Sequence, residues 1–116
     1  MANDRLVSTV HSRGTGIPNR SLNSARNHHW VIDGSHDPEA VSTVESFLAG
    51  ISACGVTLTQ GLAEQAGTPL ASIDVSIEGV RLAEDTSRFQ EINMRFELGG
   101  VSQAQAEELT AAYQQR

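Results

Sequence analysis

The sequence has a single cysteine, Cys54, and no lysine among its 116 residues. One thiol cannot form a disulfide within these residues, so their fold does not depend on such a bridge. Large ring side chains are also few, because aromatic residues make up only 4% of the chain. A chain of this size with few large side chains builds a small core, so we expect an oligomer in which a subunit interface completes it.

Positive charge is scarce: eight arginines stand against fourteen acidic residues, giving a formal net charge of −6. An acidic surface repels phosphate backbones and anionic lipid, so we expect no nucleic-acid partner and no membrane partner. The first residues lack the apolar core of a secretory signal, and glycines interrupt the uncharged run at residues 46–62. We therefore expect a cytoplasmic protein without a membrane-spanning segment.

Four stretches of the sequence predict strands. Residues 5–11 are rich in β-branched side chains, and a turn-forming segment with Gly and Pro at 14–19 predicts a hairpin with a second strand at 20–32. Residues 70–79 and 88–98 each alternate between apolar and polar side chains. That alternation predicts two half-buried strands, which we expect to pair antiparallel.

A long central helix is predicted to begin at Ser42, because Ser42 and Glu45 match a capping box, and to end at Gly67. Spacings of three and four predict one apolar face for it. The residues of that face are Val44, Phe47, Leu48, Ile51, Cys54, Gly55, Leu58 and Leu62. A second capping box, at Ser102 and Gln105, predicts a shorter helix.

The predicted order is β-β-α-β-β-α. Each sheet needs a cover for one apolar face, and each helix has one apolar stripe, so helices packed on antiparallel sheet are the compact solution. We therefore predict one α+β domain over residues 1–116.

Cys54 has two interpretations on the residues alone. A free cysteine on an apolar helix face is commonly a core side chain, since an apolar setting disfavours the thiolate. A nearby cation would favour the thiolate and make Cys54 a nucleophile.

Histidines at 28, 29 and 36 with Asp33 and Asp37 suggest a metal site, because imidazole and carboxylate suit zinc or iron. Adjacent histidines on a strand point to opposite faces, however. No phosphate-binding glycine loop is present either. We therefore predict no metal and no cofactor.

Three segments resemble the OsmC/Ohr family: Arg-Asn-His-His-Trp-Val-Ile-Asp at 26–33, Ser-Thr-Val-Glu-Ser-Phe-Leu-Ala-Gly-Ile-Ser-Ala-Cys at 42–54, and Gly-Gly-Val-Ser-Gln-Ala-Gln-Ala-Glu-Glu-Leu at 99–109. The resemblance covers most of the chain. It implies an intertwined homodimer and, in some branches, a peroxidase for organic hydroperoxides. Such a peroxidase has a reactive cysteine, a resolving cysteine, and an arginine and a glutamate that organise the thiolate.

The resemblance assigns roles to three residues. Cys54 matches the reactive cysteine, and Glu45 matches the helix glutamate nine residues before it. Arg26 matches the arginine of the extended Arg-x-His segment, with Arg13 and Arg20 as alternatives. These are the predicted catalytic residues.

Two positions depart from the family pattern. Thr43 stands where the family has proline before the helix glutamate, and the sequence given ends at Arg116, where the second helix would lead to the resolving cysteine. We therefore expect a domain that lacks the family's C-terminal part and needs an external thiol as reductant.

The resemblance thus implies an OsmC-like protein that reduces organic hydroperoxides through Cys54. The alternative is a non-catalytic OsmC-like domain that binds a small apolar or acidic ligand at the dimer interface, with Cys54 only lining the site. A structural subunit without pocket chemistry is the third hypothesis.

Overall fold

Two antiparallel sheets and two helices make up residues 4–115, which are the residues that the computed structural model describes. The α+β class is therefore confirmed. The chain divides into two compact units, Met1–Ser46 and Phe47–Arg116. The elements are β1 (His11–Gly14), β2 (Arg20–Ala25), β3 (His28–Asp33), α1 (Thr43–Ala66), β4 (Ser72–Val80), β5 (Glu91–Gly99) and α2 (Gln103–Gln114).

The first unit contains one strand more than the sequence predicts, and its first strand begins later in the chain than predicted. Strand β1 begins at His11, so residues 5–10, predicted as a strand, precede the sheet. The predicted strand at 20–32 is two strands, β2 and β3, because Arg26 and Asn27 have φ of 49° and 68°. Two successive left-handed residues reverse the chain within a two-residue hairpin turn. The sheet order is β1-β2-β3, all antiparallel.

The limits of α1 agree with the prediction. The Glu45 amide donates to Ser42 Oγ at 3.1 Å, and the Ser42 amide donates to Glu45 Oε1 at 2.8 Å, which completes the capping box. Gly67 ends the helix with φ of 68°. By length and composition alone, α1 also meets the criteria for a membrane-spanning helix, as core helices of many domains do.

The buried face of α1 coincides only in part with the predicted apolar face, of which Gly55 is buried and Val44, Leu48, Ile51, Leu58 and Leu62 are half-buried. Its fully buried residues are Gly55, Thr59 and Ala63, which recur every four positions. Phe47 is 56% exposed and Cys54 is exposed. At Gly55 the side chains of β5 occupy the adjoining space, because a Cβ there would lie 3.1 Å from Met94 Cε and 3.4 Å from Phe96 Cζ.

The second unit is built on the predicted antiparallel pair of β4 and β5, in register from Ser72 opposite Gly99 to Val80 opposite Glu91. Its inner face carries Ile73, Val75, Ile77, Met94, Phe96 and Leu98, all half-buried. Helix α2 starts at the predicted Ser102 capping box. It contributes the buried Leu109 and packs Tyr113 against Phe96, with ring centroids 5.2 Å apart.

Candidate functional site

Cys54 lies on α1 as an exposed free thiol. Its carbonyl oxygen accepts a hydrogen bond of 3.4 Å from Thr57 Oγ1. Within residues 4–115 its sulfur takes part in no hydrogen bond or disulfide. The thiol of the single chain is therefore open to a small molecule and is not part of the core of that chain.

An aromatic pair lies on the same helix face as the thiol. Phe47 precedes Cys54 by seven residues, which is two helical turns, about 20° of rotation and about 10.5 Å of rise. The Phe47 ring stacks on Phe89, with centroids 5.9 Å apart and planes 12° apart. This half of α1 therefore presents apolar surface on the side of the helix that carries the thiol.

Glu45 lies in the first turn of α1, where its carboxylate accepts the Ser42 amide hydrogen of the capping box. Nine residues of continuous helix separate it from Cys54, or about 13.5 Å of rise and half a rotation. Within one helix the two side chains cannot touch.

Arg26 and Arg13 are exposed arginines of the first unit. Arg26 occupies the turn between β2 and β3, and Arg13 lies on β1 opposite Leu22. Among the residues that the structure describes, neither guanidinium makes an ion pair or a hydrogen bond. Both are therefore available to an anion, although neither pairs with Glu45 in the first unit.

Arg20 is engaged elsewhere. Its Nε lies 2.7 Å from Asp33 Oδ2, and its Nη2 donates to the Asp37 carbonyl oxygen at 3.3 Å. The Asp33 carboxylate also accepts the amide hydrogens of Ser35 and Glu39, each at 2.9 Å. This network ties β2 to the loop that follows β3, so Arg20 has a structural role here.

The pKa of Asp33 reflects the same network. Burial by itself raises the pKa of this carboxyl, but the hydrogen bonds from Ser35, Glu39 and Arg20 lower it by more. The pKa therefore lies well below the ordinary value for an aspartate. Asp33 is ionised at neutral pH and acts as a fixed acceptor.

The histidines do not assemble with the acids. His28, His29 and His36 are exposed, and within residues 4–115 no three His, Cys, Asp or Glu side chains are grouped so that they could hold a metal ion. Asp33, which the metal hypothesis included, binds Arg20 instead.

The structure thus places the predicted residues in two separate units, with Glu45 and Arg26 in the first and Cys54 in the second. The sequence interpretation missed the Asp33–Arg20 pair, which joins residues 13 positions apart. It also missed Arg88, which pairs with Asp85 at 3.4 Å. Arg88 and Phe89 line a cavity of about 350 Å³ in the second unit. The sequence did contain one signal for Asp33, because this aspartate directly precedes a glycine at the end of β3.

A comparison with protein-family models identifies one family. A family model described as OsmC-like protein matches residues 34–116. A search of curated proteins finds no match.

Solved structures show the same fold. An OsmC-like protein from Mycoplasma pneumoniae has a TM-score of 0.80 at 15% identity, covering 98% of this chain and 83% of that chain. A Legionella pneumophila protein described as "organic hydroperoxide resistance protein OsmC, predicted redox protein, regulator of sulfide bond formation" has a TM-score of 0.72 at 17% identity, covering 94% of this chain and 82% of that chain. At these identities the likeness concerns the fold alone.

Proposed function

Because this chain belongs to the OsmC-like family, we propose that it is a thiol-dependent reductase of organic hydroperoxides with Cys54 as the reactive residue. The exposed position of Cys54 on α1 carries the proposal. A free cysteine is among the most frequently buried residues, whereas a nucleophile needs access to its substrate. The Legionella protein of the same fold, described as an organic hydroperoxide resistance protein, supports the choice of substrate.

The proposed reaction begins with the Cys54 thiolate. Its sulfur attacks one oxygen of ROOH, the O–O bond breaks, and the alcohol ROH leaves after taking up a proton. The product is a sulfenic acid on Cys54. The stacked rings of Phe47 and Phe89 lie along the same helix face and would contact the apolar group R.

A second thiol must complete the cycle, since these 116 residues contain one cysteine. A small external thiol condenses with the sulfenic acid, giving a mixed disulfide and water. A second molecule of the thiol releases Cys54 and leaves as the oxidised disulfide. Two thiols thus supply the two electrons that reduce ROOH to ROH and water.

We further propose that Arg26 favours the thiolate, that Glu45 positions Arg26, and that two copies of the chain form the complete site. The conformation of Arg26 supports its choice, because a left-handed non-glycine residue costs of order 1 kcal/mol where asparagine or glycine would cost less. Its unpaired guanidinium is free for an anion, unlike that of Arg20.

The first prediction concerns Cys54 itself. We expect the purified chain, supplied with excess dithiothreitol, to consume tert-butyl hydroperoxide, and the remaining peroxide is measured over time. The Cys54→Ser variant should lose at least about 99% of this rate, because the nucleophile is absent. Ala53→Ser introduces the same side chain at the neighbouring exposed position. It should keep the activity. Equal rates for wild type and Cys54→Ser would refute the proposal.

The second prediction compares two exposed arginines. Arg26→Gln should slow alkylation of Cys54 by iodoacetamide near pH 7 by about tenfold, because removal of the cation lowers the thiolate fraction. Arg13→Gln, a change of the same charge on β1, should leave the rate unchanged. Alkylation of the two variants at the same rate would remove Arg26 from the site.

The non-catalytic alternative has one observation in its favour. No hydrogen-bond donor reaches the Cys54 sulfur within residues 4–115. Under this alternative, Cys54 and Phe47 line an apolar binding surface. Retention of a bound apolar ligand by Cys54→Ser, with no hydroperoxide consumption by wild type, would favour it.

A further inference from the structure

Met94 is a second sulfur that the proposed reaction does not use. It lies on the inner face of β5, half-buried, opposite Ile77 of β4. It also lines a cavity of about 360 Å³ together with Ile77, Asn93 and Arg95. The other residues that line it, Ser76 and Glu78, lie with Asn93 and Arg95 on the opposite face of the strand pair, so partial exposure of Met94, and not this cavity, gives a small molecule access to the residue.

The side chain of Met94 joins three elements of the second unit. Its Cε lies 3.1 Å from the position of a Cβ on Gly55 of α1, so the methyl group fills the space against the helix backbone. Its Sδ lies 3.7 Å from the hydroxyl of Tyr113 of α2, which donates a hydrogen bond to it. The Tyr113 ring in turn packs on Phe96 of β5.

We infer that Met94 is an oxidation site, at which an organic hydroperoxide converts the thioether to the sulfoxide and thereby weakens the packing of α1 and α2 on β5. The sulfur attacks one peroxide oxygen, the O–O bond breaks as the S–O bond forms, and ROH leaves with the proton. The sulfur loses two electrons and the peroxide gains them.

The local geometry explains why this oxygen would disturb the packing. A sulfoxide oxygen is a strong acceptor and needs a donor when it is buried. Gly55 has no side chain to donate, so Tyr113 is the donor at hand. To bond the longer S–O group, Tyr113 must move relative to Phe96. If the oxygen turns toward α1 instead, it occupies space that the methyl group already fills.

The experiment uses Cys54→Ser, so that the reactive thiol cannot consume the reagent. After exposure to tert-butyl hydroperoxide, tandem mass spectrometry measures the gain of one oxygen on the peptide containing Met94. We expect oxidation in the folded chain within about tenfold of the rate in the urea-unfolded chain, because susceptibility follows exposure. Stronger protection of Met94 would overturn the inference.

Thermal unfolding measures the consequence. Oxidised Cys54→Ser should melt about 5 °C lower than the untreated variant, and Cys54→Ser with Met94→Leu should not shift on treatment. Met94→Gln, which places a polar group at a similar distance from the backbone, should reproduce the lower midpoint without oxidant. Oxidation of Met94 with no change in midpoint would contradict the packing role. These outcomes are independent of hydroperoxide turnover by Cys54.

Discussion

The carboxylate of Asp33 is the residue around which the loop after β3 is organised. It binds Arg20 of β2 and accepts two amide hydrogens from the loop, at Ser35 and Glu39. The Asp33 amide also donates to the Val41 carbonyl oxygen at 2.7 Å, shortly before α1 begins. One buried side chain thus fixes the path of the chain toward the helix that carries Glu45.

This arrangement predicts a pH dependence of stability. The pKa of Asp33 is lower in the folded chain than the value of about 3.9 in an unfolded chain. The contribution of Asp33 to the free energy of unfolding is therefore fully present at pH values above the pKa of the unfolded chain. It is lost as the pH falls toward the lower pKa of the folded chain. Urea unfolding at about pH 7 and about pH 3 should show a fall in the wild-type midpoint that is smaller in Asp33→Asn.

The control for this prediction is Asp37→Asn. Asp37 is exposed, and its carbonyl oxygen, not its carboxylate, accepts the hydrogen bond from Arg20. Asp37→Asn should keep the wild-type pH dependence. A similar loss of pH dependence in both variants would show that acidity in general, and not the Asp33 network, causes the effect.

At the scale of elements, the second unit relies on close approach of backbone to side chains. The Phe89 ring occupies the space in which a Cβ on Gly79 of β4 would lie, and Leu48 Cδ1 of α1 lies 3.3 Å from that position. Phe89 is also the ring that stacks on Phe47. Gly79 therefore permits the aromatic pair that lies on the face of Cys54.

The Gly79→Ala variant tests this packing. The added methyl group should displace Phe89, lower the free energy of unfolding by about 1 to 3 kcal/mol, and reduce hydroperoxide turnover. Gly50→Ala is the control, because within residues 4–115 no atom outside the surrounding helix backbone lies within 4 Å of a Cβ there, and alanine is favoured over glycine at an exposed helix position. It should raise the free energy of unfolding by up to about 1 kcal/mol. An unchanged Gly79→Ala protein would contradict the argument.

At the scale of the whole molecule, much apolar surface is left uncovered in a single chain. Within residues 4–115, only Ala63 and Leu109 are fully buried hydrophobic residues, whereas Leu6 and Val7 are 103% and 76% exposed. Such surface marks an interaction site. We propose a homodimer, because two copies would cover this surface in both chains and would bring together residues that α1 holds apart.

Light scattering coupled to size exclusion should therefore give about twice the 12.4 kDa chain mass. Leu6→Asp should weaken the dimer by at least about tenfold, since a charge at a buried apolar contact leaves an unpaired group. Thr9→Asp puts the same charge at an exposed polar position of the same segment. It should have a smaller effect. A monomeric wild-type chain at high concentration would contradict the proposal.

Local sequence rules determined much of the fold. The capping residues Ser42 and Ser102, the helix end at Gly67, and the alternation along β4 and β5 all depend on neighbours within about four positions, and the structure confirms each. A single cysteine in these 116 residues likewise requires that any second thiol come from outside them.

Tertiary structure alone decided the features of the candidate site. Arg26 and Asn27 reverse the chain, although nothing but Asn27 signals a turn there. Arg20 binds Asp33 across 13 positions, and Gly55 faces β5 while the adjacent Cys54 faces outward. Helical periodicity indicates that a residue lies on an apolar side, but contact between distant segments determines which part of that side is buried. Exposure of the thiol follows from that contact.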